Sequence, residues 1–288
     1  MFRPHEARGH GRAIGLLVPT SDLAEPLDRE RILAGLPPAS REALVRLDLY
    51  GEADSTNQVL LDRAAEGSIH RHVCLAEFQR AGRGRHGRPW VMPRGAGVCL
   101  SMGWRFAMPL QHLAALSLAC GVIVMRAFRA IGIHGAGLKW PNDVLWQRQK
   151  LGGILVEMKG SPEGSQDAVI GIGLNVAFPE ADIPIVQPWT DLAALMGHPV
   201  SRNDLAAQLI HQLLEALPVY KQQGFAAFLE EWRAYHAMEG RHVTLSLPNG
   251  KAVEGEIQDI DAEGALVLSV NGGRRRFLAG EISLRTIS

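Results

Sequence analysis

Four short apolar segments constrain the fold of this chain more than any other feature of its sequence. They run over residues 73–76, 98–104, 154–158 and 169–176 and have the composition of buried strands. Helical patterns cover residues 57–66, 112–130 and 224–235, and a further helix opens at Ser201, where Asp204 resembles a capping box. Because strands and helices mix along the chain, the sequence predicts an α/β or α+β domain with a mixed sheet.

The last fifty residues have a different pattern. Val243, Leu245 and Leu247 alternate with polar residues, and turn sequences follow at 248–250 and 271–273. Further strands are predicted over residues 253–260, 266–270 and 276–284. Short strands joined by tight turns are typical of a small β-barrel. We therefore predict a first domain over residues 41–238 and a barrel over residues 239–288.

Residues 1–40 are rich in Arg, Gly, Pro and His, and we predict a partly disordered extension there. One short amphipathic stretch over residues 27–36 is closed by two prolines. No secretory signal is evident, and the longest apolar stretch, residues 113–125, predicts a buried helix because it is too short to span a bilayer. These features predict a soluble, cytoplasmic protein with no membrane partner.

Composition excludes some classes of site. Thirty basic and thirty acidic side chains give a formal net charge of zero, which argues against general affinity for nucleic acid or membranes. Cys74, Cys99 and Cys120 are odd in number and lack CxxC spacing, so neither a disulfide framework nor a cysteine zinc site is predicted. We expect reduced, mostly buried thiols, and any cationic site must be local.

Residues 79–90 supply such a local site. Four arginines and one histidine alternate with three glycines directly after a predicted strand. Glycine lets the backbone approach a ligand, and arginine presents forked donors to phosphate or carboxylate oxygens. The pattern is typical of a mobile anion-binding loop that closes over a triphosphate, and the alternatives are a solvated basic turn or an RNA-binding segment. The P-loop pattern is absent from the sequence.

Three other polar segments each allow two interpretations. Lys139 lies between Leu138 and Trp140, where a ligand anion would compensate its charge, or it is an exposed lysine before a turn. The polar residues 54–58 either cap a helix or donate to a polar ring or carboxylate. The glycines of 171–175 indicate close approach of another group, and Asn175 either contacts a metal-bound phosphate or holds a turn.

The order of these motifs resembles the biotin–protein ligase family. The helix start at Ser55, the loop from Gln79, the Lys-Trp-Pro-Asn-Asp segment from Lys139 and the Gly-Ile-Leu-Val-Glu strand from Gly153 follow one another as in that family. The resemblance covers residues 45–285. It implies an α+β fold, in which a mixed-sheet catalytic domain of the biotin/lipoate ligase type precedes a small SH3-like β-barrel.

The resemblance also implies a two-step reaction of a biotin–[acetyl-CoA-carboxylase] ligase. The biotin carboxylate attacks the α-phosphorus of ATP, giving biotinyl-5′-AMP and pyrophosphate with Mg²⁺. A lysine amine of the acceptor then attacks the mixed anhydride. The implied acceptor is the biotin carboxyl carrier protein domain of acetyl-CoA carboxylase.

Site roles follow from the matching positions. Lys139 is the implied catalytic bridge between the biotin carboxylate and the α-phosphate, and Arg85 is implied to fold over biotin and the adenylate. No side chain is implied as a direct metal ligand, since Mg²⁺ is bound with ATP. The residues implied to bind biotin are Ser55, Thr56, Asn57, Gln79, Arg83, Gly84, Arg85 and Lys139. Those implied to bind the nucleotide are Arg85, Arg88, Trp90, Asn142 and Asn175.

Some features depart from the family pattern or leave it open. His86 and Pro89 stand where the family often has basic residues, which changes the charge and flexibility of the loop. Some members carry an N-terminal DNA-binding domain, but the residues before Asp54 mostly lack helical periodicity, so no DNA binding is predicted. The expected state is a monomer or a ligand-linked homodimer. A lipoate–protein ligase, an RNA-binding protein and a bifunctional repressor are the competing hypotheses.

Overall fold

Two β-sheets and the helices packed on the larger sheet make up the fold. The computed structural model describes residues 25–160, 165–179, 185, 187–247, 250–278 and 283–286. The helices are α1 (Arg29–Ala34), α2 (Pro38–Ala43), α3 (Thr56–Glu66), α4 (Leu116–Ala130), α5 (Leu192–Met196), α6 (Arg202–Gln223) and α7 (Leu229–Ala234). Short 3₁₀ helices lie at Arg85–Gly87, Leu110–Leu113 and Gly224–Phe228.

The strands confirm a mixed sheet followed by a small antiparallel one. The first sheet contains β1 (Arg46–Tyr50), β2 (His72–Ala76), β3 (Gly97–Phe106), β4 (Gly137–Lys139), β5 (Asp143–Trp146), β6 (Gln149–Gly160) and β7 (Gln166–Asn175). Its order is β1-β2-β3-β7-β6-β5-β4, and the β1–β2 pair is parallel while the other pairs are antiparallel. The second sheet contains β8 (His242–Ser246), β9 (Ala252–Ile260), β10 (Leu266–Val270), β11 (Gly273–Phe277) and β12 (Ser283–Thr286).

The two faces of the first sheet have different neighbours. Along β7, Ile170, Ile172 and Leu174 belong to the main apolar core together with buried residues of α4 and α6. Side chains alternate across a strand, so Gly171 and Gly173 face the opposite side, where α3 and residues 82–90 lie. We call these the core face and the open face of the sheet.

The predicted buried helix is confirmed as α4, the central element on the core face. Among the described residues, the stretch from Leu110 to Ala130 is long and apolar enough to cross a membrane, and 72% of its most apolar 18-residue window is buried inside the protein. That degree of burial is what a core helix of a globular domain shows. The helix start predicted at Ser201 is also confirmed, since the Ser201 hydroxyl accepts from the backbone N–H of Asp204 at 3.1 Å, which is the N-cap half of a capping box.

Residues 25–43 pack on the first domain through α1 and α2. Ile32 of α1 is fully buried. Arg202, only 1% exposed, donates to the Glu77 carboxylate at 2.7 Å and to the Glu25 carbonyl at 2.7 Å. A buried guanidinium needs acceptors to replace lost hydration, and these two bonds fix the chain before α1 against the sheet. Of the extension predicted over residues 1–40, residues 25–40 are part of this packed region, and residues 1–24 lie outside the described residues.

Two sequence predictions need correction. The predicted helix over 224–235 is a 3₁₀ helix followed by α7. The predicted single strand over 276–284 is wrong, because β11 and β12 pair with different strands, β10 and β8. Alternation of side chains does not mark where a strand leaves one partner for another. The turn at 271–273 is present, with positive φ at Asn271 and Gly272, while residues 248 and 249 lie outside the described residues.

The small sheet contacts the first domain beside Lys139. The indole N–H of Trp140, a fully buried side chain, donates to the carbonyl of Gly264 at 3.2 Å. Arg233 of α7 also donates to the Asp259 carboxylate of β9 at 2.6 Å. The segment that carries Lys139 is therefore held from behind by the turn between β9 and β10.

Candidate active site

A cavity of about 700 Å³ opens on the open face of the sheet. It is large enough for a ligand of drug size or above. All twelve residues that the sequence implied for binding or catalysis line this cavity, although they come from four separate segments of the chain. They are Ser55, Thr56, Asn57, Gln79, Arg83, Gly84, Arg85, Arg88, Trp90, Lys139, Asn142 and Asn175.

Glycines form the floor of the cavity. Strand register places Gly153 and Gly173 side by side, and it places Gly171 beside Ser101. A Cβ on Gly173 would come within 2.7 Å of the Trp90 indole, and one on Gly171 would collide with the Asn57 amide. The groups that approach these glycines are therefore side chains of the protein itself, which the sequence pattern alone does not identify.

The start of α3 is held by a side chain from outside the helix. Ser55 occupies the N-cap position without capping the helix through its side chain. Instead, the backbone N–H of Thr56 donates to Oε1 of Gln79 at 2.8 Å. The interpretation of this segment as a simple cap is therefore wrong for Ser55, whose buried hydroxyl lines the cavity.

Two polar residues that the sequence analysis did not single out connect these groups. The fully buried Ser101 hydroxyl lies 2.7 Å from Thr56 Oγ1 and 2.6 Å from Asn57 Oδ1. The Glu157 carboxylate accepts from Asn57 Nδ2 at 2.7 Å and pairs with Arg83 at 3.1 Å. Glu157 ends the Gly-Ile-Leu-Val-Glu motif, so the motif could have identified it as a site residue. Ser101 lies in a strand with no motif around it, so the sequence offered no such indication.

The arginine–glycine segment is a small hairpin at the edge of the cavity. Gly84 N–H donates to the Arg88 carbonyl at 2.7 Å, and Trp90 N–H donates to the Gly82 carbonyl at 2.8 Å. At its tip, His86 and Gly87 have φ of 58° and 69°, a left-handed conformation that favours glycine. The hairpin turns Arg83, Gly84 and Arg85 towards the cavity, while His86 is exposed.

Lys139 is a half-buried cation of the cavity. Burial lowers the pKa of Lys139, and the neighbouring Asp143 carboxylate opposes that shift. Among the described residues, no carboxylate lies within ion-pair distance of Lys139, and the neighbouring Asp143 pairs with Lys150 at 2.7 Å. Burial also lowers the pKa of Arg85. Cations that are partly desolvated in a cavity favour a bound anion, which restores the interactions they lose with water.

The far end of the cavity is aromatic and was only partly foreseen. Trp90 stacks over Gly173, the Lys150 ammonium lies 5.6 Å from the Trp90 ring, and Trp189 also lines the cavity. Asn175 donates to the carbonyls of Thr190 at 2.9 Å and Lys150 at 3.3 Å. Its amide nitrogen thus holds the backbone of this end, which favours the turn-holding interpretation.

Cys99 lies at the cavity, and burial limits the reactivity of its thiol. Burial raises the pKa of the Cys99 thiol, which lines the cavity, to about 12, so it is a poor nucleophile near neutral pH. The three cysteines are free and buried, as predicted. Within the described ranges, no group of three or more His, Cys, Asp or Glu side chains has metal-binding geometry.

Comparison with protein families finds two matching domains. Residues 51–175 match the Biotin/lipoate A/B protein ligase family. Residues 240–285 match the Biotin protein ligase C terminal domain. The first match contains the loop, Lys139 and the glycine floor, and the second contains the small sheet.

Individual relatives agree with these matches. The chain is 40% identical over 234 residues to the bifunctional ligase/repressor BirA of Escherichia coli, covering 81% of this chain and 72% of that protein. It is 36% identical over 269 residues to a biotin–[acetyl-CoA-carboxylase] ligase of Mycobacterium tuberculosis, covering 88% and 98%. A biotin protein ligase from Aquifex aeolicus, solved in complex with biotin and ATP, superposes with a TM-score of 0.72 at 27% identity, covering 85% of this chain and all of that one.

Proposed function

The chain belongs to the biotin/lipoate A/B protein ligase family, and we propose that its cavity is the active site of a biotin–protein ligase. Biotin and ATP are its substrates, and the products of the first step are biotinyl-5′-AMP and pyrophosphate. The observation that carries this proposal is Lys139, a half-buried ammonium with no carboxylate paired to it among the described residues, in a cavity shared with Arg85.

The first half-reaction brings two anions together. The biotin carboxylate must approach the α-phosphate of ATP, and their repulsion opposes the reaction. We assign Lys139 to the position between them, where it neutralises both and stabilises the charge that develops on the phosphate oxygens. Arg85 adds a forked donor over the same region, and it keeps the mixed anhydride in place until the acceptor arrives.

The remaining roles follow from the chemistry of the two ends of the cavity. Biotin has a polar ring at one end and a carboxylate at the other. We place the ring against the hydroxyl and amide groups at the start of α3, with Ser55, Thr56, Asn57 and Gln79, and with Arg83 and Gly84 of the hairpin. We place the nucleotide towards Arg88, Trp90, Asn142 and Asn175, where an indole offers a stacking surface.

Magnesium enters this scheme as part of the ATP substrate. No side chain is assigned to it as a ligand, and Lys139 and the hairpin arginines supply the protein's share of the positive charge. The second half-reaction needs no nucleophile from the protein, because the acceptor lysine amine attacks the mixed anhydride and AMP leaves. We propose the biotin carboxyl carrier domain of acetyl-CoA carboxylase as the acceptor and the cytoplasm as the location.

Incorporation of labelled biotin tests this function. The full chain is incubated with labelled biotin, MgATP and a purified carboxyl carrier domain, and in parallel with labelled lipoate. We expect label on the carrier domain only with biotin and only when ATP is present. A carrier variant whose acceptor lysine is replaced by arginine is the matched control. Label from lipoate but not from biotin, or no ATP dependence, would contradict the proposal.

A further inference from the structure

We propose that Glu157 and Ser101 are positioning residues that decide which hydrogen-bonding groups the cavity presents to the ring of its ligand. The proposal rests on the function proposed above, since it concerns how the same cavity distinguishes biotin. It is carried by a continuous chain of short polar contacts from Glu157 through Asn57, Ser101 and Thr56 to Gln79.

The direction of the chain is set at Glu157. A carboxylate accepts hydrogen bonds and donates none, so the group of Asn57 that lies 2.7 Å from Glu157 must be its NH₂. The carbonyl oxygen of the Asn57 amide is thereby directed at Ser101 and packed over Gly171. Arg83 pairs with Glu157 from its other side, at 3.1 Å.

The protons that follow have one consistent arrangement. Ser101 has a single hydroxyl proton, and the Asn57 oxygen 2.6 Å away requires it. The contact of 2.7 Å between Ser101 and Thr56 can then be a hydrogen bond only if Thr56 donates. Thr56 thus has no proton left for Gln79 Oε1, 3.2 Å away, which already accepts from the Thr56 backbone.

The cavity therefore presents acceptors at this point. Lone pairs of Thr56 Oγ1 and Gln79 Oε1 lie 3.2 Å apart without a shared proton, and both residues line the cavity. A ligand N–H placed between them would satisfy both oxygens. If the Asn57 amide were reversed, Ser101 would donate to Thr56 and Thr56 to Gln79, and this acceptor pair would be lost.

Biotin supplies the complementary group. Its ureido ring carries two N–H donors, and a donor that meets a prepared pair of acceptors binds well, whereas a ring without N–H leaves buried acceptors unpaired. In this scheme Glu157 does not contact the ligand, but it orients Asn57 and, through Asn57, the hydroxyl of Ser101. Glu157 and Ser101 thus determine specificity: they favour a cyclic urea over rings of similar size that have no N–H donor.

The substitution Ser101→Ala breaks the chain without altering Glu157 or Arg83. The Thr56 proton is then free to turn to Gln79, so the acceptor pair is lost, and we expect the Kd for biotin to rise about tenfold. The rate of pyrophosphate release at saturating biotin should change less than threefold, because the substitution affects the binding of biotin and leaves the groups at the reacting phosphate in place. Ser40→Ala is the matched control, because Ser40 is a buried serine bonded to His211 far from the cavity.

A ligand probe separates positioning from a general loss of structure. Calorimetry compares biotin with biotin methylated on either ureido nitrogen. For the unaltered protein, one methylated form should bind at least tenfold more weakly than biotin. In Ser101→Ala that ratio should fall towards one, because the acceptor pair that reads the N–H is no longer present.

The substitution Glu157→Gln supplies an independent variant, since glutamine can donate and so permits the Asn57 amide to reverse. Its ratio between biotin and the methylated form should also fall, while Glu231→Gln, which breaks a surface pair with Arg126, should leave the ratio unchanged. Unchanged ratios in both Ser101→Ala and Glu157→Gln would overturn the inference. If the unaltered protein bound no biotin at all, the proposed function itself would fail instead.

Discussion

The two faces of the seven-stranded sheet carry different kinds of residue and face different neighbours. On the core face, Ile170, Ile172 and Leu174 of β7 fill the space against α4 and α6. On the open face, Gly171 and Gly173 of the same strand leave a floor on which Asn57 and Trp90 lie. One strand therefore contributes to stability and to binding with alternate residues, because successive side chains point to opposite faces.

Because of this difference, we expect neighbouring residues of one strand to respond in different ways to substitution. A change on the core face removes apolar volume and lowers the free energy of unfolding. A change on the open face moves the side chains that line the cavity, and it should alter ligand affinity more than stability.

Lys139→Ala removes the half-buried cation at the edge of the open face. We expect adenylate synthesis, measured as pyrophosphate release with biotin and ATP, to fall about a thousandfold, since one preorganised charge at a reacting phosphate contributes ~4 kcal/mol. The melting temperature should stay within a few degrees. Lys159→Ala is the control, because Lys159 of β6 bonds to the Leu61 carbonyl outside the cavity. Undiminished pyrophosphate release would refute the role of Lys139.

Leu174→Ala tests the core face. Leu174 is fully buried, and its truncation should lower the free energy of unfolding by about 3 kcal/mol, as measured by urea denaturation. The molecules that remain folded should bind biotin with unchanged affinity. A tenfold weaker affinity with unchanged stability would show that the two faces are not separated as described.

Gly173→Ala tests the open face one residue away. Its new methyl group would meet the Trp90 indole, so the indole must move into the cavity. We expect the Kd for ATP, measured by calorimetry, to rise about thirtyfold, the equivalent of ~2 kcal/mol. Gly160→Ala on β6 is the matched control, since its nearest neighbour would be 3.9 Å away. Equal affinities in the two variants would mean that Trp90 does not serve the nucleotide.

Arg85→Ala removes a guanidinium that lies over the open face. We expect biotinyl-5′-AMP to escape into solution about tenfold faster, which corresponds to the loss of one charge-assisted hydrogen bond. The rate of release is followed after rapid dilution of the enzyme with bound intermediate. Arg80→Ala, which breaks surface pairs with Glu52 and Asp54, should leave release unchanged. If Arg85→Ala retained biotinyl-5′-AMP as strongly as the unaltered protein, Arg85 would not be the residue that holds the intermediate.

The sequence predicted the long elements well and the short ones poorly. Strands β2, β3, β6 and β7 and helices α3, α4 and α6 have strong apolar periodicity, and each is found where it was expected. Strands β4 and β5 were missed because three or four residues carry too little periodicity to be recognised. The family resemblance allowed the twelve cavity residues to be predicted, because their motifs are local and stand in a fixed order.

Connections between those motifs could not be read from the sequence. Ser101 is one polar residue within an apolar strand, and only the antiparallel register of β3 and β7 places it beside Gly171 and the Asn57 amide. The pairing of Lys150 with Asp143 has the same origin, because it depends on the hairpin formed by β5 and β6. Such pairs are far apart in sequence or carry no pattern of their own.

The amino-acid sequence by itself determined the periodic elements, the local motifs and the chemistry that each motif can perform, because these depend on residues close together along the chain. The tertiary structure was needed to show that Lys139 has no carboxylate partner among the described residues, which side chains rest on the glycine floor, and in which direction the protons of Asn57, Ser101 and Thr56 point. These properties depend on distances and desolvation between segments, and packing alone sets both.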